Sequence, residues 1–385
     1  MESAFNRLVR LIQRRYDSMF PAGREVPFAL RTSSGLSATF GRGEPAFALV
    51  ATRATGIAAL GSMDLSRIAE AYMCGALEID GDLRRALVLR TSFPDRHPIA
   101  FLWRFVQPLL FGQVKSDTRW IAKHYDLPSE FWMTFLDDRH RCYSHGFFER
   151  DDEPLADAIT RKLDFALDAI DAKPGDRVLD IGGGWGAMTE HAGRRGVHVT
   201  SLTISQASEQ YLRELIARES LPCTVLLEHL MEHVPDAPYD GILNLGVTEH
   251  LPNYRATLAK YLDLLKPGGK IYLDASADRE KHRQSTFLEK HIYPGNGTLL
   301  CLHEYLAEVA RTPLQLLHVH DDRHSYYLTT RRWAENLDRH QEMIERNWGP
   351  ELYRKFRLYL WGCADSFDRN LTQAFNWSMR KPTAS

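Results

Sequence analysis

The stretch RVLDIGGGWGAMTEHAGRRGVHVTSLTI, residues 177–204, restricts this chain more than any other. Residues 177–181 read as a short buried strand, 182–186 as a tight turn, 187–195 as a helix and 197–204 as a second strand. That is a strand–turn–helix–strand unit at the length a parallel crossover needs. Glycine in such a turn lets a ligand approach bare backbone, and the following helix N-terminus adds amide donors. Gly182, Gly184 and Gly186 give G-x-G-x-G, which is not the dinucleotide fingerprint. The expectation is an α/β chain with a Rossmann-like, doubly wound sheet and a ligand at this turn.

At 385 residues the chain is long enough for two domains. Apolar residues at 44% and charged ones at 25% are ordinary for a globular protein. A net charge of −2 gives no case for nucleic acid. No apolar run reaches the ~18 residues a transmembrane helix needs, and the first residues lack the apolar core of a secretory signal. They do suit an amphipathic helix, with Phe5, Val9 and Leu11 between Arg7, Arg10, Arg14 and Arg15. Two uses fit it: docking onto its own domain, or contact with an anionic membrane surface. The five cysteines are scattered and lack metal-site spacing, so free thiols in a reducing cytoplasm and no metal are expected.

Residues 1 to about 90 read as a small α+β domain, with strands near 28–30, 38–40 and 47–52 and a helix over 65–73. Glu70, Glu78, Asp80 and Asp82 read as a helix end and a solvated turn. Residues 91–120 are an apolar connector, a buried helix or a lid over an oily ligand. The aromatic run Tyr125, Phe131, Trp132, Phe135, Tyr143, Phe147 and Phe148 suits core or a ligand wrap, and a helix over 155–172 follows. Beyond the crossover, helix is expected over 206–218, strands over 223–228 and 239–245, helix over 254–265 and a strand over 270–274. Glu249 and Asp274 then fall at carboxyl ends of strands, where open α/β sheets bind ligands. A helix over 302–310, strands over 316–320 and 326–329, and helices over 332–346 and 351–370 complete the reading.

The order of several motifs resembles the cyclopropane fatty acid synthase family, which includes the mycolic acid cyclopropane synthases, among class I S-adenosylmethionine-dependent methyltransferases. They are EAYMCG (70–75), HYDL (124–127), the pair Tyr143-Ser144, KPGDRVLDIGGGWG (173–186), SLTIS (201–205), GVTEHL (246–251), LKPGGK (265–270), KHIYPG (290–295), SYYLTTRRW (325–333) and LYLWGCADSF (358–367). The likeness covers most of the chain from about residue 60. It implies a sterol-carrier-like, lipid-facing N-terminal domain with its connector over 1–115, and a methyltransferase domain over 116–385. The cofactor's methionine part would lie near Tyr143, Ser144, Gly182, Gly184 and Trp185. Its adenosine would lie near Thr203, Ser205, Glu232, Leu245 and Gly246.

The family also implies a bicarbonate bound by a Cys, a Glu, a His, a backbone group and a Tyr. Glu249 and Tyr326 match the Glu and the Tyr, and Ser276 falls at the backbone contact. His145 stands in place of the Cys and Asp274 in place of the His. Gly183 replaces a usual Cys, and Ser208 a usual Gln. The implied substrate is an unsaturated fatty acyl chain of a phospholipid, met at the inner membrane by a peripheral cytoplasmic enzyme, with room for a homodimer. Methyl transfer to a carbon–carbon double bond leaves a carbocation. Aromatic faces and carboxylates stabilise it, water must be excluded, and a base removes a proton as the ring closes. Glu249, Tyr326, His145 and Asp274 are the catalytic candidates, with His145–Asp274 pairing as the structural alternative. Methyl-branched, methylene or methylated diene products, or a non-catalytic lipid-binding protein, are the competing readings.

Overall fold

The computed structural model describes residues 2–20, 26–92, 95, 127–294 and 297–383. Most of the connector, the segment 124–126 and Gly295 therefore fall outside the described residues.

Arg177–Ile181 (β5) lies at the centre of a seven-stranded sheet. His198–Thr203 (β6) and Thr224–Leu227 (β7) lie on one side of it. Tyr239–Leu245 (β8), Leu265–Ala277 (β9), Gln373–Arg380 (β11) and Gln315–Asp321 (β10) follow in that order on the other. Strands β5 to β9 pair in parallel, and β11 runs antiparallel to both its neighbours. Val178, Leu179 and Ile181 are all buried, as a central parallel strand covered on both faces demands. The strand order reverses between β5 and β8, which opens a crevice at their carboxyl ends.

A second sheet of four strands precedes it. Phe28–Thr32 (β1) is flanked by Ser37–Phe40 (β2) and Phe47–Ala51 (β3), and Leu77–Gly81 (β4) lies beyond β3. The helix Glu2–Met19 packs on this unit through Phe5, Leu8, Ile12 and Tyr16, spaced at 3, 4 and 4 residues. Each such buried side chain contributes roughly 1.5–3 kcal/mol. The apolar face of the amphipathic helix is thus taken up by its own domain. Leu11 is exposed, and Arg7, Arg10, Arg14 and Arg15 face solvent.

Three expectations need correcting. Residues 77–81 form an edge strand rather than a solvated turn. Its Glu78 pairs with Arg354, while Glu70 on the preceding helix meets Lys290 and His291. Tyr326 lies in a helix, Arg323–Arg339, not a strand. Its buried residues Tyr326, Thr329, Thr330, Trp333 and Leu337 follow a 3–4 period that the β-branched and aromatic composition masks. A strand that no expectation covered is β11, after the last helix, where Ala374, Asn376 and Ser378 alternate with Phe375, Trp377 and Met379. Strand β9 also continues three residues past Asp274, which pairs with Leu245 on one side and Asn376 on the other.

Candidate active site

The glycine bend opens onto a cavity of about 1130 Å³ including its mouth. Gly182, Gly184 and Trp185 form one wall, with Thr203 and Ser205 beside them. Leu245 and Gly246 close the opposite side, and Tyr143 and Ser144 cover it. Nine of the ten residues expected around the cofactor therefore line one space. Glu232 does not; Glu228, His229 and Leu230, directly after β7, occupy that end.

The bend is built for a ligand to lie against backbone. Gly184 has φ +51°, and a Cβ there would meet nothing but the Gly182 carbonyl within 4 Å. It would project into the cavity. A Cβ at Gly183 would come within 2.9 Å of both Leu212 and Ser201, so the usual Cys has no room here. Ser208 donates to the Gly184 carbonyl at 2.6 Å and pins the bend. Asp180, at the end of β5, lines the same space; burial pushes its pKa up to about 6 against a hydrogen bond from Ser201 and the charge of Lys162. These features fit S-adenosylmethionine: the amide donors of the bend suit its carboxylate, and the Asp180 carboxylate suits its positive charge.

Tyr143 connects this cavity to an aromatic cluster. Its hydroxyl lies 3.2 Å from those of Tyr293 and Tyr359, which are 2.7 Å from each other. Trp132 and Trp333 pack on its ring at 4.7 and 5.3 Å. Phe131 and Phe135 of the same run are wholly buried and serve as core, while Phe147 and Phe148 are partly buried.

Behind Ser144 lies a second, polar chamber. Glu249 sits on the 3-10 turn Thr248–His250 that follows β8. Its Oε1 accepts hydrogen bonds from the Ser276 backbone N–H at 2.7 Å and from Ser276 Oγ at 2.9 Å, while Oε2 has no partner. Burial pushes its pKa up to about 7, with Ser276 pulling the other way. Tyr326 stacks on the His145 ring at 4.4 Å, and burial raises its pKa well above the usual tyrosine value.

His145 and Asp274 are both wholly buried, and they lie at the edge of ion-pair range without a hydrogen bond between them. Their nearest charged atoms are 3.9 Å apart. His145 Nε2 donates instead to Asp322 Oδ2 at 3.0 Å. Asp274 Oδ2 accepts from Lys162 Nζ at 3.2 Å, and Lys162 also donates to Ser144. Burial opposes the Lys162 charge, yet Asp274 and Cys142 hold its pKa above the usual lysine value. Burial works to raise the Asp322 pKa, but hydrogen bonds from His145, Asn376 and His320 keep it low. Lys162 and Asp322 were not singled out from sequence. A signal existed for Lys162, which falls on the apolar stripe of its helix between Ile159, Leu163 and Ala166.

A cysteine, a histidine and a glutamate (Cys301, His303, Glu304) lie close enough to share an ion at the start of the helix Leu302–Val309. Lys281 sits 3.2 Å from Glu304, His303 and Glu304 are exposed, and the group is separate from both chambers.

A Rossmann-like sheet with one antiparallel strand, a glycine bend at its switch point and this cavity define a class I S-adenosylmethionine-dependent methyltransferase. Residues 113–377 match the family described as mycolic acid cyclopropane synthetase, and the chain belongs to it. It is 30% identical over 294 residues to cyclopropane mycolic acid synthase 3 of Mycobacterium tuberculosis, covering 70% of this chain and 97% of that protein. It is 27% identical over 278 residues to a protein named "Probable fatty acid methyltransferase" from the same species. That match covers 70% of this chain but only 64% of the relative. The crystal structure of mycolic acid cyclopropane synthase CmaA1, complexed with S-adenosylhomocysteine and CTAB, superposes with a TM-score of 0.62. Identity there is 26%, over 67% of this chain and 96% of that one.

Proposed function

We propose that this chain methylates the double bond of an unsaturated fatty acyl chain, and that on a phospholipid the product is a cyclopropane. The observation that carries the reading is Glu249, a buried carboxylate with one unpartnered oxygen, between Val247 and His250 that line the glycine-walled cavity. S-adenosylmethionine, when bound, supplies an electrophilic methyl group that the alkene's π electrons take up. Gly182, Gly184, Ser144 and Tyr143 would hold it, with Thr203 and Ser205 toward the adenosine, and so fix the line of attack. The rings of Tyr143, Tyr293 and Tyr359 and the Glu249 carboxylate offset the positive charge left on the acyl chain, and the buried setting keeps water from trapping it.

Purified protein incubated with labelled S-adenosylmethionine and vesicles of a monounsaturated phosphatidylglycerol tests this. The acyl chains should gain one CH2 and lose their double bond. Acyl chains that stay unlabelled in every unsaturated lipid would overturn it. Because His145 and Asp274 depart from the family's ligands, a methyl-branched or methylene product is the second reading. It would show as the same label with the unsaturation kept or moved.

We also assign residues 1–115 as a lipid-facing unit that presents the substrate to the methyltransferase domain, 116–385. Supporting this, Arg90 bonds the Gly362 carbonyl, Ser366 and Asp365, and Arg357 bonds Tyr72, which fastens the first unit to the helix Pro350–Asp368. Peripheral contact with the cytoplasmic face of the inner membrane would use the exposed arginines of the first helix, not its apolar face. No helix among the described residues is long and apolar enough to cross a membrane. Cosedimentation with anionic vesicles should weaken steeply with salt.

A further inference from the structure

The polar chamber does not suit the bicarbonate that the family resemblance implies. An anion needs donors, and Ser276, Lys162 and His145 Nε2 already serve carboxylates. The Ser276 N–H and Oγ–H both point at Glu249 Oε1. Lys162 is held by Asp274 and Ser144, and His145 Nε2 by Asp322. At the two positions expected to hold the anion the unpartnered oxygens are carboxylate acceptors, Glu249 Oε2 and Asp274 Oδ1, with His145 Nδ1 3.9 Å from the latter, and the unpartnered donors beside them are the neutral hydroxyls of Thr248 and Tyr272. A further negative charge placed there would meet two carboxylate oxygens.

Resting on the reading above, we propose that in this enzyme Glu249 itself takes the proton that leaves as the ring closes, and that turnover needs no bicarbonate. After methyl transfer, the C–H bond of the new methyl group breaks. Its electron pair forms the third bond of the ring at the cationic carbon, and the proton passes to Glu249 Oε2. Ser276 fixes the other oxygen of the same carboxylate, so Oε2 is held in one direction. His145 and Asp274 are each 0% exposed and locked into the chain Asp322–His145 and Asp274–Lys162. Glu249 is 8% exposed, and its neighbours Gly246, Val247 and His250 line the cavity. Of the three it alone keeps any exposure. A carboxylate whose pKa is pushed up to about 7 is also matched to proton removal near neutral pH.

The test uses the full chain with monounsaturated phosphatidylglycerol vesicles, read both as S-adenosylhomocysteine released and as cyclopropyl acyl chains formed. In buffer scrubbed of carbon dioxide the cyclopropane rate should stay within about twofold of that with added bicarbonate, and in Glu249→Gln the cyclopropane formed per S-adenosylhomocysteine released should fall about 100-fold or more. The lost ring should reappear as hydroxylated or rearranged unsaturated chains. Loss of cyclopropane in scrubbed buffer with recovery on adding bicarbonate would overturn the proposal, and that arm uses the unmutated enzyme. Ring formation by Glu249→Gln at the wild-type rate would also overturn it. Absence of S-adenosylhomocysteine release with every lipid would instead remove the methyltransferase reading beneath it.

Discussion

The two chambers on either side of Ser144 are built by opposite means. The glycine-lined cavity is a backbone construction, and much of its wall comes from one contiguous bend with β6 and β8 beside it. The polar chamber is a side-chain construction, drawn from separate segments: His145, Lys162, Glu249, Asp274 with Ser276, and Asp322 with Tyr326. A backbone cradle is specified by local conformation and tolerates a changed neighbour. A chamber of buried charges depends on every partner at once, because each removed partner leaves another group unpaired where water cannot reach it. The first chamber therefore tolerates a changed side chain, while a change in the second must be answered by its partners.

The largest effect should come from breaking the second chamber at Lys162. Lys162→Met leaves Asp274 buried without a cation, and the loss of stability should be about 3–5 kcal/mol. Urea unfolding followed by circular dichroism reads it. Adding Asp274→Leu to the same chain should recover most of the loss, since an apolar pair of similar volume tolerates burial. A Lys162→Met protein as stable as the wild type would show that the two chambers are not built differently after all.

Glu249 gives the next effect through pH. Its folded pKa is raised to about 7 from an ordinary value near 4.5. The folded state therefore binds more protons than the unfolded chain between those values. Its contribution is fully present below about pH 4.5 and is lost as pH rises toward 7, by up to about 3 kcal/mol. Glu249→Gln should flatten that part of the stability profile. Catalysis should run the opposite way in wild type, rising with pH through about 7 as the carboxylate ionises. The groups facing it are Asp274, Tyr326 and Ser276. A rate that is flat from pH 5.5 to 8.5 would remove Glu249 as the base.

The same contrast governs what could be read from the amino-acid order. The crossover unit, β8 and the cavity wall follow from local pattern: apolar strands, a glycine bend, and a helix starting after it. The polar chamber was legible only as a set of residue types. Glu249 and Asp274 could be placed near carboxyl ends of strands, but not their partners. His145 looked free to pair with Asp274 because Lys162 and Asp322 lie far away in the chain, in a helix and at a helix start. Tyr326 was given the wrong element because aromatic and β-branched residues favour strand locally, whereas packing against the helix Pro350–Asp368 decides for helix. Strand β11 carried a clear two-residue alternation, and the end of a helical region drew attention away from it.

The backbone chamber can be broken by filling it. Gly184→Val puts a branched side chain into the cavity at a positive φ, so binding of S-adenosylhomocysteine should weaken by about 100-fold, or roughly 2.7 kcal/mol. Titration calorimetry measures this. Stability should fall by only about 1–2 kcal/mol, the cost of the left-handed conformation. If stability instead fell as far as for Lys162→Met while affinity held, the bend would be a structural turn and not a cradle.

The smallest effect isolates burial from chemistry. Lys290 and Glu70 form the same kind of pair as Lys162 and Asp274, but their side chains are 58% and 35% exposed. Water already solvates both charges, so removing one leaves no stranded partner. Glu70→Gln should therefore cost less than about 1 kcal/mol in urea unfolding, and that cost should vanish at high salt. His291, 3.3 Å from the same oxygen, can still accept or donate to the amide. A loss comparable to that of Lys162→Met would mean that the contact between the small N-terminal unit and the methyltransferase domain, rather than burial, sets the value of these pairs.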